Sequence, residues 1–314
     1  MNLPTFHSRP SCSLLVRLYG KSLCTVVAAL GITLSSPAYA TSTLAHSDVG
    51  IEGLETIVQE DTKGIEGVVT RADLLAPGSV GSAKAHSEAS AAVGSLKAIS
   101  SAMADVGTDV LARANALWAD DFTIYAPGLS NGEVGTFSAA VSVQGGLLVE
   151  ASSGPGGYSY GDTYVIATFS LDPNTGFNGG INRVSNGGRH FLDSNMREFR
   201  SGEEAFILNL TDVPFTFGRS IAVSLSLSTV SGTRTFNLSS SRSEADYGHT
   251  MTWAGISNVR SASGNSINNF TAVSAESGFN FGNIPPVPEP STTLMLILGI
   301  FVGAIFASQR VKAF

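Results

Sequence analysis

Apolar residues alternate with serine and alanine along the segment SIAVSLSLS, residues 220–228. Ile221, Val223, Leu225 and Leu227 occupy every second position, and only small residues lie between them. Because successive side chains of a β-strand point to opposite faces, this spacing gives one apolar face and one polar face. A helix would need apolar residues at steps of three and four instead. The segment is therefore predicted to be a strand that is buried on one side.

The same alternation recurs along the chain, so the prediction extends to a whole domain. Four further segments show it: GTFSAAVSV (135–143), DTYVIATFSL (162–171), EAFILNLTDVPFTF (204–217) and DYGHTMTWAGI (246–256). Turn-forming residues separate them, as in SSGPGG, DPNTG and SNGG. Many short strands with one apolar face favour an all-β fold, an antiparallel β-sandwich with a jelly-roll-like topology. We place this domain at residues 79–283.

Residues 84–117 fit two kinds of secondary structure. Their larger apolar residues fall at steps of three and four, the spacing of a helix. These residues are Val93, Leu96, Ile99, Met103, Val106, Val110, Ala114 and Leu117. Gly94 and Gly107, the many serines and the strand-like LWADDFTIYAPG that follows argue against a helix. We favour strands here.

Residues 41–78 differ in composition from the rest of the chain. They contain a cluster of acidic residues: Asp48, Glu52, Glu55, Glu60, Asp61, Glu66 and Asp73. The tetrapeptide GIEG occurs at residue 50 and again at residue 64, which is too few copies for a repeat architecture. We predict an acidic, partly ordered N-terminal extension with a helical turn or two.

The first 40 residues have the order of parts of a secretory signal peptide. Basic residues without any acid come first, then a largely apolar run at 23–34, and then small residues at Ala38 and Ala40. Signal peptidase reads small residues at such positions, so the mature chain is expected to begin near Thr41. The alternative is a buried N-terminal helix.

Cleavage at this position changes the composition of the protein. Both cysteines, Cys12 and Cys24, would leave with the signal peptide, so the mature chain would have neither a disulfide nor a cysteine zinc site. Residues 41–287 contain 13 basic and 24 acidic residues, a net charge of −11. Such a surface repels nucleic acid and anionic lipid headgroups, and neither is expected as a partner.

The C-terminal end has the features of a membrane span. Residues 292–308 carry no charge, and as a helix they would extend over roughly 26 Å. This length is within the usual range for a spanning helix. Arg310 and Lys312 follow, and the positive-inside rule keeps such residues in the cytoplasm. The predicted topology is an exported domain, a single transmembrane helix and a basic stop.

Pro288, Glu289 and Pro290 stand just before this span, where two prolines hold the backbone extended. The order VPEPST, apolar helix and short basic end resembles the PEP-CTERM sorting signal of Gram-negative bacteria. We assign residues 284–314 to it. The resemblance implies that an exosortase, a membrane transpeptidase-like enzyme, cleaves near the motif and transfers the protein outward. The basic end is shorter here than the arginine cluster of many members.

Motifs in the central region also resemble the sandwich ectodomains that often accompany this sorting signal. They are GSLKA at 94–98, ADYGHTMTWAGISNV at 245–259 and SGFNF at 277–281. This resemblance implies a fold rather than an activity.

The sequence shows no catalytic or metal site, and neither a cofactor nor an enzymatic activity is expected. Four histidines remain after signal cleavage, His46, His86, His190 and His249, and their spacing fits no metal site. Asp120 and Asp121 are adjacent, so in a strand they face opposite sides and do not form a glycosidase pair. The sequence has one cluster of basic residues, and an anionic polymer, if one binds, would bind there. The cluster consists of Arg183, Arg189, Arg197 and Arg200.

Two functions agree with these observations. The first is a structural or interaction protein of the cell surface or extracellular matrix, within exopolysaccharide or biofilm. The second is a carbohydrate-binding module, for which Tyr158 and Tyr160 in GPGGYSYGD are the candidate contacts, because aromatic rings stack on sugar faces. A permanently anchored membrane protein is the alternative if the tail is not processed.

Overall fold

The computed structural model describes residues 41–51, 54, 56–77, 82–172, 179–193, 197–237 and 239–282, with only the backbone at 77, 182–193, 197–204 and 249. These residues contain thirteen β-strands. They are β1 (Ser42–Ile51), β2 (Ile57–Lys63), β3 (Val68–Pro77), β4 (Ser82–Ala92), β5 (Ser95–Asp105), β6 (Asp109–Tyr125), β7 (Val134–Ser153), β8 (Tyr158–Asp172), β9 (Gly179–Asp193), β10 (Arg197–Thr216), β11 (Ser220–Phe236), β12 (Ser239–Ser261) and β13 (Thr271–Val273).

The strands form two antiparallel sheets that pack as a sandwich. Sheet A has the order β2-β1-β6-β11-β8-β9, and β13 pairs with β6 beside it. Sheet B has the order β10-β7-β12-β5-β4-β3. The main core contains buried side chains from both sheets. The predicted all-β class and the two-sheet antiparallel sandwich are confirmed.

The alternation in the sequence corresponds to the burial pattern of the strands. In β11, Ile221, Val223, Leu225 and Leu227 are all buried, and the serines between them are partly exposed. At about 25 cal/mol per Å² of apolar area removed from water, such faces are the main source of stability in residues 41–282, which contain no cysteine.

Aromatic rings fill one end of the main core. The ring of Phe281 stacks on Phe122 with centroids 4.4 Å apart and meets Trp253 edge-on at 5.1 Å. Its ring also lies parallel to Trp118 at 5.7 Å. The indole Nε1 of Trp253 donates to the backbone oxygen of Phe281 at 3.0 Å. The segment that follows β13 is thus part of the core.

The predicted extension at 41–78 is wrong, because these residues form three strands of the sandwich. Strand β1 lies between β2 and β6 in sheet A, and β3 is the edge strand of sheet B. The inward positions of β1 include Thr43 and Ser47, which are fully buried. Their hydroxyls are satisfied, since Ser47 Oγ lies 2.9 Å from Thr70 Oγ1 and Thr43 Oγ1 donates to the carbonyl of Glu66 at 2.8 Å. The buried hydroxyls interrupt the apolar alternation that Ala45, Val49 and Ile51 would otherwise show on this face.

The strands favoured for residues 84–117 are confirmed as β4, β5 and the first part of β6. Their inward side chains are mostly alanines, which form part of a second core with Val49 and Val110. The alanines of these strands that belong to the second core are Ala83, Ala85, Ala102, Ala104 and Ala112, whereas Ala89, Ala91, Ala98, Ala114 and Ala116 belong to the main core. Gly94 turns the chain between β4 and β5 at φ +73°, and a Cβ atom there would lie 2.6 Å from the ring of Phe279. Glycine therefore suits this hairpin.

The predicted signal peptide, with Ala38 and Ala40, lies outside the described residues. So do the sorting motif at 288–290, the transmembrane helix at 292–308, and Arg310 and Lys312. Within the part of the chain that the structure describes, no helix is long and apolar enough to cross a membrane.

Candidate functional site

Tyr158 and Tyr160 begin β8 on the outer face of sheet A, where both are partly exposed. Tyr164 lies four residues further along this face and is also partly exposed. On the neighbouring strand β11, Phe236 is the register partner of Tyr158 and is 50% exposed. The rings of Tyr158 and Phe236 are nearly parallel, with centroids 5.7 Å apart and an interplanar angle of 16°. We call Tyr158, Tyr160, Tyr164 and Phe236 the aromatic strip.

Polar groups accompany the aromatic strip. The hydroxyl of Tyr160 donates to Asp162 Oδ2 at 3.1 Å. Arg234 is the register partner of Tyr160, and its Nε lies 3.0 Å from Asp109 Oδ1. The aromatic strip thus combines apolar ring faces with carboxylates and a guanidinium that form hydrogen bonds.

The turn before Tyr158 is fixed by side-chain hydrogen bonds. Ser153 Oγ donates to the carbonyl of Gly157 at 2.6 Å, and Asn237 Nδ2 donates to the carbonyl of Gly156 at 2.8 Å. A Cβ atom on Gly157 would lie 2.4 Å from Ser239 Oγ, so the turn packs closely against the chain after β11. The turn therefore orients the first tyrosine of the strip before any ligand binds.

The two adjacent aspartates lie in different environments, as their strand position predicts. Asp120 is fully buried, whereas Asp121 is partly exposed and accepts a hydrogen bond from Ser220. Asp120 Oδ1 accepts from Thr41 Oγ1 at 2.7 Å and from Ser274 Oγ at 2.8 Å, and its Oδ2 accepts from Ser277 Oγ at 2.6 Å. These bonds give Asp120 a structural role.

His46 belongs to a charged cluster that the sequence does not reveal. Its Nδ1 lies 3.3 Å from Glu60 Oε2, and its Nε2 lies 3.7 Å from Asp48 Oδ2. Arg113 Nη1 lies 3.7 Å from the same oxygen of Asp48. The carboxylate of Asp48 raises the pKa of His46 above its ordinary value; partial burial opposes this effect and Glu60 adds to it. The cluster joins β2, β1 and β6 electrostatically.

The remaining candidates are placed only in part. His86 Nδ1 lies 2.8 Å from Asp73 Oδ1 at the surface. The side chains of His190, His249 and the four arginines at 183, 189, 197 and 200 lie outside the described residues. The backbone places the arginines on β9 and β10, the edge strands of sheets A and B. No group of three or more potential metal ligands occurs among the side chains that the structure describes.

Comparisons with known proteins give no family. No family model and no curated protein matches the chain. Among solved structures, that of the infectious bursal disease virus Gx strain is 15% identical, with 83% of this chain and 74% of that chain covered and a TM-score of 0.11. The crystal structure of the VP2 subviral particle of this virus is 16% identical, covering 83% and 73% of the two chains with a TM-score of 0.11. Likeness at this level supports no argument about fold or function.

Proposed function

We propose that this chain is an exported, exosortase-sorted protein of the cell surface or extracellular matrix. Its role is structural or interactive, within exopolysaccharide or biofilm, and its sandwich contacts polysaccharide through the aromatic strip. The stacked pair formed by the partly exposed Tyr158 and the exposed Phe236 is the observation that carries the proposal, because aromatic side chains on the outer face of a sheet offer apolar area to a sugar ring.

The order of the strands supports a jelly-roll topology for this sandwich. Strands β5 to β12 form two four-stranded halves, β5-β12-β7-β10 and β6-β11-β8-β9. This arrangement agrees with the two Greek keys of a jelly roll. Strands β4-β3 and β1-β2 then extend the two halves on one side.

The dimensions of the aromatic strip favour a polymer over a single sugar. Tyr158 and Tyr164 are six residues apart on one strand, which at ~3.3 Å per residue is roughly 20 Å. A surface of this length suits several sugar rings in a row. The net charge of −11 over residues 41–287 favours a neutral polysaccharide at this surface over an acidic one.

Removing both parallel rings is expected to weaken polysaccharide retention without unfolding the protein. Two stacking contacts of about 0.5–1.5 kcal/mol each correspond to a loss of roughly 5- to 150-fold in affinity for the Tyr158→Ala, Phe236→Ala double variant. Retention is measured by co-sedimentation with exopolysaccharide from the producing cells. Tyr125→Ala is the matched control, since Tyr125 is 50% exposed on β6 and lies outside the strip. Equal retention by both variants would contradict the polysaccharide contact.

The same assay tests the expectation that the protein is not an enzyme. Release of soluble sugar or new reducing ends by the purified protein would contradict a structural role.

Processing of the tail is tested by the mass of the protein recovered from cells. The sorting proposal expects a form that begins near Thr41 and has lost the residues after the Pro288–Pro290 region. The Glu289→Ala variant is expected to keep its C-terminus, because the acid between the two prolines would no longer mark the cleavage site. Gln309→Ala, in the same tail but outside the motif, is the control. An intact C-terminus in the unaltered protein would instead indicate a permanently anchored membrane protein.

A further inference from the structure

The backbone nitrogen of Thr41 lies against a carboxylate. It donates a hydrogen bond to Glu276 Oε2 at 2.7 Å, across 235 residues of sequence. The hydroxyl of the same residue donates to Asp120 Oδ1 at 2.7 Å. Thr41 is 2% exposed, so both bonds lie at a closed position where β1 begins. One carboxylate thus binds the nitrogen and another binds the hydroxyl of Thr41, near which the sequence predicts the mature chain to begin.

The donors to these two carboxylates that the structure describes are all neutral. Asp120 is fully buried, and its donors are the hydroxyls of Thr41, Ser274 and Ser277 and the backbone N–H of Asp121, all of them neutral. Among the side chains that the structure describes, no Lys, Arg or His forms an ion pair with Asp120 or Glu276. A buried carboxylate without a cation is unfavourable, because burial removes its solvation.

Hydrolysis of the bond between Ala40 and Thr41 would supply the missing cation. Water breaks the C–N bond, its hydroxyl completes a carboxyl group on Ala40, and its proton goes to the nitrogen of Thr41. An α-amino group has an ordinary pKa of roughly 7.7–8.0, so at neutral pH most of it carries a positive charge.

We propose that Glu276 and Asp120 form the acceptor site for the α-ammonium group that signal cleavage creates on Thr41. This inference rests on the export part of the proposed function. The neutral hydrogen bond from the amide to Glu276 becomes a charge-assisted one, and such bonds are roughly twice as strong. The new charge also lies beside the buried Asp120, which the hydroxyl of the same residue already contacts.

The site couples the two ends of the mature protein. Glu276 belongs to a turn in which Ser274 Oγ accepts from the backbone N–H groups of Glu276 at 3.2 Å and Ser277 at 3.0 Å. This turn leads directly to Phe281 in the aromatic core. The sorting motif begins twelve residues after Glu276. Cleavage at the N-terminus therefore strengthens the attachment of the segment that carries the C-terminal sorting signal.

The test compares the full chain before and after a cut in front of Thr41. The 314-residue protein is prepared in detergent with a protease site inserted directly before Thr41, so that cleavage leaves Thr41 as the first residue. Cutting is expected to raise the unfolding temperature by about 2–6 °C in the otherwise unaltered protein. This rise in unfolding temperature should be absent from the Glu276→Gln variant. It should be present in the control variant Glu66→Gln, which alters another exposed glutamate. No rise on cutting, or an equal rise in Glu276→Gln, would overturn the proposal.

A second readout does not depend on stability. The α-amine of the cut protein is labelled with an amine-reactive ester at neutral pH, and labelling at Thr41 is quantified by peptide mass. The rate is expected to increase several-fold in Glu276→Gln, because the amine is no longer held by the carboxylate. An unchanged rate would count against the site. An uncleaved N-terminus in protein from cells would overturn the export proposal together with this one. Cleavage at another bond, or a Thr41 start without a Glu276 effect, would overturn this one alone.

Discussion

The Phe281→Ala variant is expected to lose about 3–5 kcal/mol of unfolding free energy, the range for deleting a fully buried aromatic ring. Phe281 is 0% exposed and contacts the rings of Trp118, Phe122 and Trp253. The sheets surround this position, so the cavity would close only in part. The loss is measured by urea denaturation followed by tryptophan fluorescence, which reports on both neighbouring indoles.

Val273→Ala is the matched control for Phe281→Ala. Val273 lies in β13, in the same C-terminal segment, but is 40% exposed. The Val273→Ala variant is expected to lose about 1 kcal/mol of unfolding free energy or less, since removal of a partly exposed side chain leaves little cavity. Similar losses in the two variants would show that the segment after β13 is not part of the core.

Asp120→Ala is expected to lower the free energy of unfolding by about 3 kcal/mol. The substitution leaves the hydroxyls of Thr41, Ser274 and Ser277 without their acceptor, and each unsatisfied buried donor costs about 1–3 kcal/mol unless it finds a new partner. Asp120→Asn keeps one oxygen and should lose less. The measurement is again denaturation with urea, at a pH where carboxylates are ionised.

Asp121→Ala provides the comparison on the opposite face of the same strand. Asp121 is partly exposed and accepts a side-chain hydrogen bond from Ser220. We expect a loss of about 1 kcal/mol, the net value of a typical hydrogen bond. If Asp121→Ala were as destabilising as Asp120→Ala, the structural role assigned to the buried carboxylate would be wrong.

The sequence predicted those strands whose inward faces are made of large apolar residues. β11 is such a strand, because Ile, Val and Leu alternate with serine. In β5 the buried positions 96, 98, 100, 102 and 104 hold Leu, Ala, Ser, Ala and Ala, whereas Ile99 and Met103 lie on the other face. The larger residues therefore suggested helical spacing, although the small ones follow a period of two. The prediction of a partly ordered extension missed β1 for the same reason, because some of its buried positions hold threonine and serine instead of large apolar residues.

The candidate site was predictable only along single strands. Tyr158 and Tyr160 share a face because they are two residues apart, and the sequence shows this directly. Phe236 joins them through the register of β8 with β11, which depends on residues far apart in the chain. The contacts of Asp120 with Thr41, Ser274 and Ser277 span between 79 and 157 positions of sequence. Spacing within one segment contains no information about such pairs.

The aromatic strip and the segment that follows β13 lie near opposite ends of β11. Val223 is the register partner of Asp120 near the start of this strand, and Phe236 is its last residue. The distance is roughly 40 Å at ~3.3 Å per residue. In a protein tethered at its C-terminus and attached to a polymer at the strip, a pulling force would run along the strands. Backbone hydrogen bonds between the strands would then be loaded together in shear, rather than opened one after another, and the sandwich would resist mechanical extension.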